Sequence, residues 1–531
     1  MEPRPTASRP DLSALDRRGF LRASAVTAGA LAVPGLLPAS APRAYAAPAL
    51  VRAGRPVVSH GLQAGDVTAD QAVVWARADR PARMLVEVSR DPSFRDAELR
   101  YGPVVTPGSD LTAKVRLRKL AAGRQHYYRV SFADLDNAAL RSEPVVGSFR
   151  TAPTAAQDLR FLWSGDMVGQ GWGINPDLDG MRLFAQMHKL DPDFFIHSGD
   201  TVYADGPLQE SVVLPDGRVW RNVLIEEKLK VAETLDEYRG QYRYNMMDTN
   251  VRAFFADVPQ LNSWDDHETT NNWYPGEVLT DPRYTERRVD VLNARARKAW
   301  FEWVPITPQG PDGMGRVYRK QEYGPLLDVF VLDMRTYRDA NTPGLDPAPE
   351  HGILGRQQAR WLERELARST ATWKVIAADM PIGVIVPDGR DIEAIANRDG
   401  GVPKGREVEI AELLSGIKRR GVKNVVWVTA DVHYTAANHY DPARAVFKDF
   451  DPFWEFVSGP LNAGAFGPNA MDATFGPKVE FYSAPPVVNA SPMEGYQFFG
   501  QVDIDADSRV MSVALKDLEG TRLWGVDLQP Q

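Results

Sequence analysis

Four short stretches set oxygen or imidazole donors at the ends of apolar runs: FFIHSGDTVY (194–203), NSWDDHETTNNW (262–273), VIAADMP (375–381) and VVWVTADVHYTAANH (425–439). Buried strands that stop in Asp, Tyr, Asn or His deliver those side chains to the carboxyl edge of a sheet, where ligands gather in α/β folds. In an extended segment alternate residues point the same way, so Asp431 and His433 aim at one site while Val432 packs away. Hard oxygen donors alone suit calcium or magnesium. Added imidazole and phenolate suit ferric iron or another transition metal. The mixture predicts unlike metals sharing a bridge.

Singly, each motif has an ordinary explanation. Gly199-Asp200 can be a turn after a strand, Tyr203 a core aromatic, and Asp265-Asp266 the acidic start of a helix. Their ordered recurrence is what points to a cluster.

The elements that must position these residues fall into two patterns. From about Val57 to Arg150, short alternating runs separated by polar turns predict a β-sandwich. Within it, Leu120–Val130, with Tyr127 and Tyr128, is similar to the tyrosine corner of immunoglobulin- or fibronectin-like sandwiches, and His126 is assigned to the surface. Residues 151–157 read as a linker. Beyond Leu159, apolar strand candidates at 194–198, 326–332, 374–378, 424–429 and 453–457 alternate with amphipathic stretches at 222–238, 288–304, 356–369 and 405–419. That alternation predicts an α/β architecture, closed by a meander beginning near Gly500.

The chain has 531 residues, 44% of them hydrophobic, enough for one large core and a smaller module. Arg17-Arg18 precedes an Ala-rich stretch and the small-x-small pattern Ala44-Tyr45-Ala46, which resembles a cleaved twin-arginine export signal over 1–46. The expected partner is the twin-arginine machinery and the expected location periplasmic or extracellular, with no stable membrane span in the mature chain. Residues 1–46 carry six Arg against three acidic residues, so their loss takes the net charge from −8 to −11. Such a chain does not draw nucleic acid through its overall field. With no cysteine, disulfide support is excluded.

In order along the chain stand GDxxY (199–203), WDDHE…NNW (264–273) and TxDxH (429–433). At these residues the mature chain resembles, over nearly its whole length, the PhoD-like alkaline phosphatase/phosphodiesterase family of calcineurin-like metallophosphoesterases. The resemblance implies a layered sandwich of central β-sheets flanked by helices over 158–531, preceded by the small β-sandwich at 47–152. It implies Asp200 as a bridge between two metals, with Tyr203 and His433 on an iron-like Fe3+ or other transition metal. Asp266, Asp379 and Asp431 would hold Ca2+. His267 matches the residue that protonates or stabilises the leaving group, while Asn271 and Asn272 match an Asn pair near the phosphate or an additional calcium. Family members place a Cys at the end of the first strand; here Asp166 stands there, a harder ligand that alters metal preference.

Arg335 lies in a segment similar to one whose Arg reaches phosphate, with an internal ion pair as the alternative. His197 is read as a core residue or one behind the ligands. The implied activity is hydrolysis of small phosphate monoesters by in-line attack of a metal-bound hydroxide. The alternatives are phosphodiesterase or phospholipase D-like action on diesters or phospholipid headgroups and, from another class, a non-catalytic surface binding protein.

Overall fold

In the first hundred described residues the two-residue period of the sequence becomes strand alternation: Met84, Val86 and Val88 turn inward while Arg83 faces solvent. The computed structural model describes residues 54–306 and 315–531; the export-signal reading of 1–46 lies outside them. Strands β1 (Val58–Gly65), β2 (Gln71–Ala78) and β5 (Thr112–Arg118) face a four-stranded sheet. That sheet contains β3 (Ala82–Ser89), β4 (Glu98–Val105), β6 (Gln125–Ala133) and β7 (Val145–Arg150).

Half of this sandwich continues into the rest of the protein. Gly65 of β1 pairs in parallel with Gln260 of β12 (Gln260–Asn262), giving a nine-stranded sheet ordered β24-β23-β22-β8-β9-β12-β1-β2-β5. Its other members are β8 (Leu159–Ser164), β9 (Phe194–His197), β22 (Phe498–Ile504), β23 (Met511–Asp517) and β24 (Arg522–Leu528). A second sheet runs β13-β14-β15-β18-β20-β19-β21. Its strands are β13 (Arg319–Tyr323), β14 (Leu327–Val331), β15 (Trp373–Ala377), β18 (Val425–Thr429), β19 (Thr435–Tyr440), β20 (Phe453–Val457) and β21 (Pro477–Ser483). Two hairpins, β10 (Ser211–Val213) with β11 (Val219–Arg221) and β16 (Pro387–Asp388) with β17 (Asp391–Ile392), stand apart.

The two large sheets pack face to face. Phe161, Trp163, Ile196 and Val502 from one meet Val329, Val375, Val428 and Phe456 from the other. The outer face of the first sheet, with Leu162 and Phe195, is covered by α1 (Arg182–His188), α2 (Leu235–Asn245), α3 (Thr249–Asp257) and α4 (Val289–Trp303). The outer face of the second, with Phe330 and Ile376, is covered by α5 (Arg356–Arg368) and α6 (Glu407–Arg419). The result is the helix–sheet–sheet–helix sandwich that the family resemblance implies, with the five apolar strands expected from the sequence and the closing meander in place.

Two local expectations are corrected. The helix expected over 222–238 starts only at Leu235, because Thr234 and Glu237 form a reciprocal capping box there and leave a short turn at Glu226–Lys228. His126 is buried rather than at the surface, with its Nε2 on the Ala121 carbonyl and its ring stacked on Phe149.

The small sandwich also finishes the helices beside it. The last carbonyls of a helix have no partner within it. At the end of α4, Lys114 donates to Phe301, Trp75 Nε1 to Glu302 at 2.8 Å and Gln63 to Trp303 at 3.0 Å. Tyr128 donates to Ala256 at the end of α3. No helix among the described residues is long and apolar enough to cross a membrane.

Candidate metal centre

Six strand ends supply the site. Asp166 follows β8, Asp200 follows β9, Asp265 and Asp266 follow β12, Arg335 follows β14, Asp379 follows β15, and Asp431 and His433 follow β18. Asp166, Asp200, Asp431 and His433 all have left-handed backbone, with φ between 52° and 65°. Such conformations cost energy outside glycine, least for Asp, and turn each side chain sharply off the strand direction. Gly459 packs against the Asp166 carboxylate, where any Cβ would collide with Oδ2.

Ligand atoms gather in overlapping sets. Asp166, Asp200 and His433 form one group; Asp200, Asp266 and His267 form a second; and Asp265, Asp266 and Asp431 form a third, with the atoms of each group within 4.8 Å of one another. Tyr203 Oη lies 2.8 Å from His433 Nε2 and so joins the first. Asp379, expected beside Asp266 and Asp431, faces Arg335 Nε at 3.8 Å.

The donor chemistry fits cations. Asp166 Oδ2 and both Asp379 oxygens are buried without a hydrogen-bond partner among the described residues. Burial pushes the pKa of Asp166, Asp200, Asp379 and Asp431 well above the usual carboxylate range, and neighbouring carboxylates push it further. So many carboxylates cannot all ionise together without added positive charge. His433 is ready as a ligand: Nδ1 bonds the Gly464 carbonyl, which leaves the Nε2 lone pair facing Tyr203 and Asp166, and burial pulls its pKa down to about 4.

His267 is in the opposite state. Burial opposes its charge, but Asp205 and Asp266 outweigh it and push the pKa up to about 9. Its Nδ1 lies 2.7 Å from Asp205 Oδ1, and its ring stacks on Tyr203 at 4.1 Å between centroids. Asp205 also accepts the Asn271 N–H at 2.8 Å. The Asn271 side chain is exposed, whereas the Asn272 N–H bonds Asp266 Oδ2 and its carbonyl accepts from Asn341.

Arg335 is fully buried. It pairs with Asp265 and Glu393 at 2.5 Å each, and its Nη2 faces Asp266 and Asp431 at 3.9 and 4.0 Å. Of the two expectations for it, the internal ion pair is the one formed. His197 is buried in β9, with neither ring nitrogen hydrogen-bonded among the described residues. Trp172 and Trp273 pack on Trp220 and Trp264, and His188 pairs with Asp257.

Sequence reasoning missed Asp205, Glu268, Glu393 and the placement of Asp265. Asp205 stands two residues after Tyr203, and Glu268 three after Asp265 at capping-box spacing, so both had a local trace. Glu393 had none.

A family model described as "PhoD-like phosphatase" matches residues 161–515, two thirds of the chain, and one described as "PhoD-like phosphatase, N-terminal domain" matches 44–153. The chain belongs to the PhoD-like phosphatases. As a member of that family it is a phosphoric ester hydrolase, and its fold is the metallophosphoesterase sandwich preceded by a small β-sandwich. It is 28% identical over 479 residues to alkaline phosphatase D of Bacillus subtilis (strain 168), covering 85% of this chain and 77% of that protein. Among solved structures, one titled "Structure of PhoD" superposes with a TM-score of 0.68 at 21% identity, covering 90% of each chain. Purple acid phosphatase PPD1 from yellow lupin seeds superposes at 0.54 with 13% identity, covering 90% of this chain and 74% of that one.

Proposed function

We propose that this PhoD-like phosphatase is an exported, metal-dependent hydrolase of phosphate monoesters, and that Asp200 bridges two cations. The observation that carries this reading is the sharing of Asp200 between the group with Asp166 and His433 and the group with Asp266. Tyr203 and His433, with Asp166 in place of a thiolate, favour ferric iron or another transition metal on one side. The carboxylates Asp266 and Asp431, with Asp379 behind them, favour calcium on the other. Bound there, the cations would activate water and neutralise the phosphoryl oxygens.

The chain's own residues do the rest. Asp205 holds the His267 ring and its proton, placing an acid where the leaving oxygen departs. Asn271 offers an exposed amide at the mouth for a phosphoryl oxygen. Arg335 holds Asp265 and Glu393 and balances part of the buried negative charge. The domain division we favour is an export signal over 1–46, a sandwich over 47–152 and the catalytic unit over 158–531. Periplasmic or extracellular location follows from the twin-arginine pattern in the sequence.

Hydrolysis of a monoester and a diester, each with and without chelator, tests the reading. Monoester turnover that is lost with chelator and restored by metal supports it. A marked preference for diesters favours the phosphodiesterase or phospholipase D-like alternative. Chelator-insensitive turnover, or none with metal-replete protein, rejects it.

A further inference from the structure

We propose that Glu268 is a positioning residue that ties the turn carrying Asp200 to the turn carrying Asp265 and Asp266, and so sets the spacing of the cation sites. The inference rests on the metal-dependent reading above. Glu268 is completely buried. Its Oε1 accepts the Thr201 N–H at 2.6 Å, and its Oε2 accepts the Asp265 N–H at 2.8 Å. Thr201 follows Asp200 directly and Asp265 precedes Asp266, so one carboxylate holds the backbone beside both turns across 67 residues of sequence.

The Asp265 contact alone is a local one, made three residues back within the same turn. The Thr201 contact serves no local turn. It joins the segment after β9 to the segment after β12, the two that contribute Asp200 and Asp266 to a common group. A metal site tolerates errors of only about 0.5 Å in ligand placement, and a two-oxygen clasp on backbone fixes that distance independently of the ligands. Both contacts need acceptors. A glutamine offers one acceptor and an amino group that would oppose the second N–H, so it serves one turn and releases the other.

The test compares Glu268→Gln with the parent in the full chain, by elemental analysis after equilibration against a metal series and by the metal concentration giving half-maximal hydrolysis. Glu268→Gln is expected to need about tenfold to a hundredfold more metal for equal occupancy, with turnover returning to near parental once saturated. Metal occupancy is read without substrate, so loss of occupancy in a protein that hydrolyses no phosphate ester would sink the functional reading and leave this one standing. Parental occupancy in folded Glu268→Gln overturns the proposal, as does a turnover defect that saturating metal leaves in place. If Glu268→Gln does not fold, Glu268→Asp, which keeps the charge but shortens the reach, takes its place: weakened occupancy that saturating metal restores supports the proposal, and parental occupancy overturns it.

Discussion

The Tyr203 hydroxyl and His433 Nε2 lie 2.8 Å apart although 230 residues separate them in sequence. Each is buried, and burial first, then Asp200 and Asp166, pushes the phenol pKa well above its usual value. A cation held by both must displace the proton now shared between them. Tyr203→Phe and His433→Ala are each expected to lower occupancy of the site by about tenfold or more at fixed metal, and to act non-additively together because they serve one ion. Independent, additive losses in a double-mutant cycle would contradict a shared ligand role.

His267 and Asp205 form a second couple with a different consequence. His267→Asn and Asp205→Asn should keep the metal content of the parent yet lower kcat on esters with poor leaving groups by about 10²- to 10⁴-fold. Esters whose leaving group needs no proton should be affected far less. Equal losses on both ester types would remove the general-acid assignment.

The buried carboxylates give a pH prediction whose sign follows from their raised pKa. Asp166, Asp200, Asp379 and Asp431 bind protons more tightly in the metal-free fold than in the unfolded chain. Their stabilising contribution is therefore complete below the unfolded carboxylate pKa and is lost as pH rises, so the metal-free protein should weaken toward alkaline pH. Metal binding replaces those protons, so affinity should tighten as pH rises. Calorimetry in two buffers of different ionisation heat should show proton release on metal addition at neutral pH; proton uptake would contradict it.

Lys114 donates to the Phe301 carbonyl in the last turn of α4 and to the Ile306 carbonyl just beyond it. Lys114→Met leaves both without that donor, at about 1–3 kcal/mol each where no water replaces it. A lowered urea midpoint with near-parental kcat in the folded fraction is expected. An unchanged midpoint would show that the small sandwich does not support the helix this way.

Much of the centre was legible because its residues sit at strand ends, where an apolar run stops in a donor: Asp200, Asp266, Asp431 and His433 all obey that rule. Arg335 obeyed it too, but its type gave no direction; only the surrounding carboxylates settle that it faces inward. Glu268 and Asp205 act on backbone N–H groups or on one ring nitrogen, and such contacts leave no periodic trace in sequence. The sandwich was legible from its alternation, whereas its continuity with the large sheet rests on a parallel pairing between Gly65 and Gln260, 195 positions apart, which composition does not encode.

The central claim is that Asp200 is shared by two cations. Anomalous diffraction from crystals of the metal-replete, active protein measures this directly. Two peaks are expected, each within about 2.0–2.6 Å of an Asp200 oxygen, one beside His433 and Tyr203 and the other beside Asp266. A single peak, or two that both avoid Asp200, would contradict the account.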